Sequence, residues 1–182
     1  MERRELIKMI AVLTGGAVIG GDVFLAGCRS KEQDLFTKDD IAFFDEVAET
    51  IIPKTNTPGA KDAATGSFMV LYATDCYDET NRNIFKAGIA ELNKASDKKY
   101  KNGFMKLAPA QKKEMLEMVD KEAKDHNKKD QQQPHYFTLM KQLTLLGFFT
   151  SKQGATQVLR YNPVPGKYEG CIEYKKGETS WA

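Results

Sequence analysis

Apolar side chains in this chain of 182 residues recur at intervals of three and four, and nowhere in the strict alternation of a half-buried strand. That spacing, punctuated by proline and glycine, leaves one kind of architecture: helices packed on helices. Thr37 has the chemistry of an N-cap, with Asp39 and Asp40 in the turn that follows. Ile41, Phe44, Val47 and Ile51 then fall on one helical face, and Pro53 ends the helix before the turn Asn56-Thr57-Pro58-Gly59. A second helix is expected from Gly66 to Asp78, with Phe68, Leu71 and Tyr72 in register. A third runs from Glu79 to Lys94, with Ile84, Phe85, Ile89 and Leu92 on one face. Ser96 to Asn102 reads as a polar connection. Pro109 suits a first helical turn, and the helix after it turns Met115, Leu116 and Val119 inward.

His126 to Gln133 reads as a polar linker between helices, and Pro134 opens the most apolar helix of the chain. Phe137, Leu139, Met140, Leu143, Leu145 and Leu146 leave that helix almost no polar face, so it is expected at the centre of a bundle, buried on more than one side. It ends near Gly147-Phe148-Phe149, and Gly154 to Leu159 allows one more short helix. From Arg160 the run Tyr161-Asn162-Pro163-Val164-Pro165-Gly166-Lys167-Tyr168 cannot be regular helix. The expected fold is therefore all-α: a single helical bundle over residues 37–182 with an irregular C-terminal segment rich in proline, glycine and tyrosine.

The first residues read as an address. Met1 to Lys8 is a short charged region, and the apolar stretch after it is diluted by Gly15, Gly16 and Gly20 and interrupted by Asp22. A spanning helix needs about 20 apolar residues, so this is a signal peptide over residues 1–27. It closes on Leu25-Ala26-Gly27-Cys28, which resembles a bacterial lipobox, in which the thiol of Cys28 takes up the lipid. Arg3-Arg4-Glu5-Leu6-Ile7-Lys8 resembles a twin-arginine export signal; the alternative is an ordinary charged region that holds two arginines. Residues 28–36 then form a polar tether to the lipid, and the protein is expected on the periplasmic side of a membrane.

The charges exclude one class of partner. The 27 Lys and Arg balance 25 Asp and Glu, and both signs are interspersed, as in Lys121-Glu122-Ala123-Lys124-Asp125. Nucleic-acid binding needs a patch of one sign, so none is expected. Catalytic signatures are also lacking. His126 and His135 belong to no metal-spaced cluster, no Cys-x-x-Cys occurs, and no glycine fingerprint follows a strand. Asp75, Asp78 and Glu79 gather at a helix junction, where a polar helix end explains them. No catalytic, cofactor-binding or metal-ligating residue is assigned.

With Cys28 lipidated, Cys76 and Cys171 remain. In an oxidising compartment an intramolecular disulfide is the leading expectation; two separate thiols, or a bridge from one of them to a partner, are the alternatives. The C-terminal aromatics Tyr161, Tyr168 and Trp181 have the chemistry of interface anchors. A lid over the helical core is the competing reading.

Two groups of residues resemble a known family. Phe43-Phe44-Asp45-Glu46-Val47-Ala48-Glu49-Thr50-Ile51-Ile52-Pro53 followed by Thr57-Pro58-Gly59-Ala60 is similar to the opening helix and turn of the gluconate 2-dehydrogenase subunit 3 family. Leu145-Leu146-Gly147-Phe148-Phe149-Thr150-Ser151, Gly154, Tyr161 to Cys171 and Trp181-Ala182 resemble its C-terminal signature. The resemblance implies a small exported subunit beside a large FAD-dependent oxidoreductase of the glucose–methanol–choline class, often with a cytochrome c subunit. The large subunit would hold FAD and oxidise a sugar or sugar acid; no cofactor is expected in this chain. Twin-arginine export suits folded cargo, so the small subunit would also escort its partner. The lipobox is a departure from the family pattern, since not every relative has its own anchor. The alternative function is a stand-alone lipid-anchored helical binding protein.

Overall fold

Thr37 opens the first helix as its chemistry predicts. Its hydroxyl accepts a hydrogen bond from the Asp40 N–H at 3.2 Å, and the Asp40 carboxylate accepts one from the Thr37 N–H at 2.8 Å, a reciprocal capping box. The computed structural model describes residues 35–129, 132–164, 166–167, 169–173 and 175–181. Residues 1–34, which contain the expected signal peptide and Cys28, lie outside the described residues, as does Tyr168. Among the described residues are five α-helices and no strand: α1 (Lys38–Ile51), α2 (Thr65–Asp75), α3 (Glu79–Tyr100), α4 (Pro109–Lys128) and α5 (Tyr136–Thr150). A 3₁₀ turn, Phe104–Lys106, precedes α4, and a π-helical turn, Gly154–Val158, follows α5. The all-α expectation holds.

The core is built on phenylalanine. Phe44 of α1 stacks on Phe85 of α3 with ring centroids 4.4 Å apart, and Phe36 meets both rings edge-on. Phe43 packs on Phe104 at 5.6 Å. Phe36 was expected in the tether; it is buried, and the compact unit begins there. A phenylalanine beside two core rings gains more from burial than a tether gains from its polarity.

α5 touches all four other helices, as its composition requires of a central helix. Two glycines let it approach its neighbours. A Cβ on Gly147 would stand 2.5 Å from the Phe68 ring of α2, and one on Gly88 of α3 would stand 2.6 Å from Met140. At both positions the neighbouring side chain fills the space a Cβ would take.

Two helices run further than expected. α3 continues through Ser96 to Tyr100 where a polar connection was read. Ser96 is buried and donates its hydroxyl to the Leu92 carbonyl at 2.8 Å, Lys98 and Lys99 complement the carbonyl end of the helix, and Lys101 closes it in the left-handed region at φ 58°. α4 likewise continues through His126 to Lys128, which shortens the linker.

The opening motif is a structural device. Asp45 accepts a hydrogen bond from the Gly66 N–H at 2.8 Å, which caps α2 from a distance, because Ala64 at its N-terminus has no side-chain acceptor. Glu49 accepts from the amides of Lys54 and Lys61 at 2.9 and 2.8 Å and so fixes the α1–α2 loop. Glu46 bonds Lys112 of α4 at 2.8 Å and also pairs with Lys61. A Cβ at Gly59 or Gly66 would collide with the Glu49 or Asp45 carboxylate, which explains both glycines.

Candidate docking surface

α2 and α5 differ from the rest of the bundle in charge. α2 carries one charged side chain, Asp75, and α5 one, Lys141. Half of the 20 residues of α4 are charged. The apolar residues of α2 and α5 are not all spent on the core. Leu71 is 61% exposed, and Leu145, Leu146 and Phe149 are 40, 41 and 37% exposed.

Helical geometry explains the split in α5. Met140, Leu143, Thr144, Gly147 and Phe148 recur at three- and four-residue intervals and face inward. Leu145, Leu146 and Phe149 occupy the opposite side. The two leucines were expected in the core; the structure turns them out. Met69 and Thr144 tie the buried sides of α2 and α5, sulfur to hydroxyl at 3.6 Å, and the half-buried Phe68 ring on Gly147 lies where the two helices meet. The outer side of α5 is thus an uncharged, leucine- and phenylalanine-bearing face on an otherwise charged protein. Depletion of charge with retention of large apolar groups marks the centre of an interface.

The C-terminal segment leaves from the end of this face. The Gln153 amide donates to the Asp62 carbonyl of the α1–α2 loop at 3.0 Å, and the chain then folds back on Arg160. The Arg160 N–H donates to the Ser180 carbonyl at 2.8 Å, its guanidinium pairs with Glu178 at 2.9 Å, and it lies 5.0 Å from the centre of the Trp181 ring. Residues 160–181 thus close a loop at Arg160. Tyr161, Val164, Ile172 and Trp181 all stay more than half exposed, so they do not form a lid over the core.

Cys76 and Cys171 are both free and exposed. The expected disulfide between them is not made in this structure. Cys76 follows the last turn of α2, and Cys171 stands in the exposed loop, where neither is buried against the other's surroundings. The acidic junction proves to be a helix end: Asp78 accepts from the Asn81 N–H at 2.7 Å and caps α3. Beneath it, burial and the neighbouring Tyr72 push the Tyr77 hydroxyl up to about 12, so it stays protonated. Among the described residues no group of three or more His, Cys, Asp or Glu is placed to hold a metal, and no helix is long and apolar enough to cross a membrane.

The fold and surface define a small all-α bundle with one charge-depleted helix side and a self-closed, aromatic-bearing loop. The family model described as gluconate 2-dehydrogenase subunit 3 matches residues 38–166, and the chain belongs to that family. It is thereby a subunit of a gluconate 2-dehydrogenase type of complex, with an oxidoreductase as partner. No curated protein and no solved structure matches the chain. Sequence reasoning named the loop aromatics as interface candidates and did not single out the exposed Leu145, Leu146 and Phe149. The signal that finds them is the helical wheel of α5, on which they face away from the buried Met140, Thr144 and Gly147.

Proposed function

We propose that this chain is the non-catalytic small subunit and export escort of a membrane-associated FAD-dependent sugar or sugar-acid dehydrogenase of the glucose–methanol–choline type. The observation that carries the docking role is the exposed, uncharged side of α5 with Leu145, Leu146 and Phe149. Burying it against a partner removes large apolar groups from water, at about 25 cal/mol per Å² of apolar surface. The loop closed on Arg160 extends the contact with Tyr161, Tyr168 and Trp181, which offer large area at small entropic cost. FAD and the chemistry reside in the partner, and a cytochrome c subunit takes the electrons. Lipid on Cys28 holds the assembly at the periplasmic side, and the twin-arginine signal exports the folded pair.

The test is co-expression with a candidate FAD-binding oxidoreductase subunit from the same genome. Leu145→Glu together with Phe149→Glu, and separately Trp181→Ala, are expected to leave the melting temperature of the isolated subunit within a few degrees of the parent and to reduce recovery of the flavoprotein at least tenfold. Unchanged recovery in both variants would remove the docking surface from this face. Failure of the parent itself to retain any flavoprotein would leave a stand-alone lipid-anchored binding protein.

A further inference from the structure

The junction between α4 and α5 is built on two imidazoles. His126 lies in the last turn of α4, and His135 is the N-cap of α5. His135 Nδ1 accepts a hydrogen bond from the Phe137 N–H at 3.2 Å, which places the ring's own proton on Nε2. The two rings meet edge to face with centroids 5.6 Å apart, and the Tyr136 ring lies 4.4 Å from His135. His126 Nδ1 is buried and has no hydrogen-bond partner. The Asn127 amide donates to the Thr138 hydroxyl at 3.3 Å, a second tie across the junction.

Helix N-caps are usually Ser, Thr, Asp or Asn, whose oxygens accept a hydrogen bond at any pH near neutrality. An imidazole nitrogen accepts only while the ring is neutral. We propose that His135 is an acid-released cap: a proton on Nδ1 turns the acceptor into a donor that faces the Phe137 N–H, and the first turn of α5 opens with the short connection to α4.

The surroundings set the direction. A cation at this position meets the positive end of the α5 dipole. Facing it are Glu122, Asp125 and His126 from α4, Lys129 just past its end, Glu91, Lys94, Lys98 and Lys99 from α3, and Tyr136 from α5 itself. Lys99 is neutralised by Glu114 at 2.6 Å. Burial first, and then His126, hold His135 below the ordinary histidine range, against the weaker pull of Glu122. The unfolded first turn therefore binds the proton more readily than the folded one. Protection of the turn is complete above the ordinary histidine value of about 6.5 and falls as the pH drops from there through the lowered value.

The experiment is hydrogen exchange on the full chain, followed by NMR between pH 7.5 and 5.0 and corrected for intrinsic rates. In the parent, protection of the Phe137 and Thr138 amides is expected to fall about tenfold over this range, the scale of losing one cap, while α1 amides stay unchanged. His135→Asn keeps an acceptor at every pH, and its protection is expected to stay flat. The imidazole signals of the parent supply a measurement that needs no variant: His135 should show the Nε2–H tautomer at pH 7.5 and titrate in step with the Phe137 amide shift. PH-independent protection in the parent, an equal loss in His135→Asn, or a His135 titration uncoupled from Phe137 would each overturn the proposal.

Discussion

Glu46→Ala is predicted to destabilise the bundle more than removal of its partner lysine. Glu46 on α1 reaches Lys112 on α4 at 2.8 Å, and the Lys112 side chain is only 10% exposed. Its ammonium also lies 5.9 Å from the Phe104 ring. Without Glu46 that ammonium is left nearly buried with no counter-charge. Truncating one partner of a fully buried pair costs about 3–5 kcal/mol. Glu46 is itself 22% exposed, so some water already reaches the pair, and the expected loss is about 2–3 kcal/mol. For a domain of this size that lowers the melting temperature by roughly 5–10 °C.

Lys112→Met removes the charge along with the need to neutralise it. The apolar stem is kept, and Glu46 retains Lys61. Its cost is expected within about 1 kcal/mol. The double variant should recover most of what Glu46→Ala loses. The pH dependence supplies a separate check. Burial raises the Glu46 carboxyl, but hydrogen bonds from Lys112 and Lys61 outweigh it and hold the group below its ordinary range. Its contribution is therefore present above the unfolded value of 4.5 and is lost as the pH falls from there through the lowered folded value. Glu46→Ala should lack that part of the acid-induced loss. Urea unfolding at several pH values measures all four proteins. If Lys112→Met is as damaging as Glu46→Ala, or the double variant recovers nothing, the unpaired ammonium is not the cause.

Gly147→Ala gains about 1 kcal/mol of helix propensity, yet its methyl would stand 2.5 Å from the Phe68 ring. Overpacking is expected to win, with a net loss of about 1–2 kcal/mol in denaturant unfolding; a stabilised variant would show that α2 and α5 separate freely. Mass spectrometry of the mature protein from membranes is expected to find an acylated N-terminal Cys28, and a soluble product with an intact N-terminus would refute the anchor.

Much of the fold was legible because its boundaries are set by local chemistry. Thr37, Pro53 and Pro109 act within one turn of themselves, and the structure uses each as its chemistry predicts. The misreadings have a common physical source. Ser96 to Tyr100 looks like a loop to any count of polar residues, but Ser96 satisfies its hydroxyl on its own helix and the lysines sit favourably at the carbonyl end. Phe36 belongs to the core because Phe44 and Phe85 lie beside it, the outer pair standing 49 positions apart in the chain. No local pattern reports such a contact. Leu145 and Leu146 were read as core because α5 is apolar almost all round. Such a helix is either buried on every side or buried on one and waiting for a partner on another, and composition treats the two cases alike.

The two motifs that carry the family resemblance divide this labour. In the first, Asp45, Glu46 and Glu49 are each committed to donors: the Gly66 amide, two lysine ammonium groups, and the amides of Lys54 and Lys61. For Glu46 the two lysines outweigh burial and hold the carboxyl below its ordinary range. These acids fix the α1–α2 loop and the start of α2, and α2 is the helix that packs through Phe68 on Gly147. In the second motif, Gly147 and Phe148 face the core while Leu145, Leu146 and Phe149 face water. The first motif therefore seats α2 against α5, and the second gives α5 its exposed side. The acids of the first motif are thus spent on fixing the α1–α2 loop and tying α1 to α4.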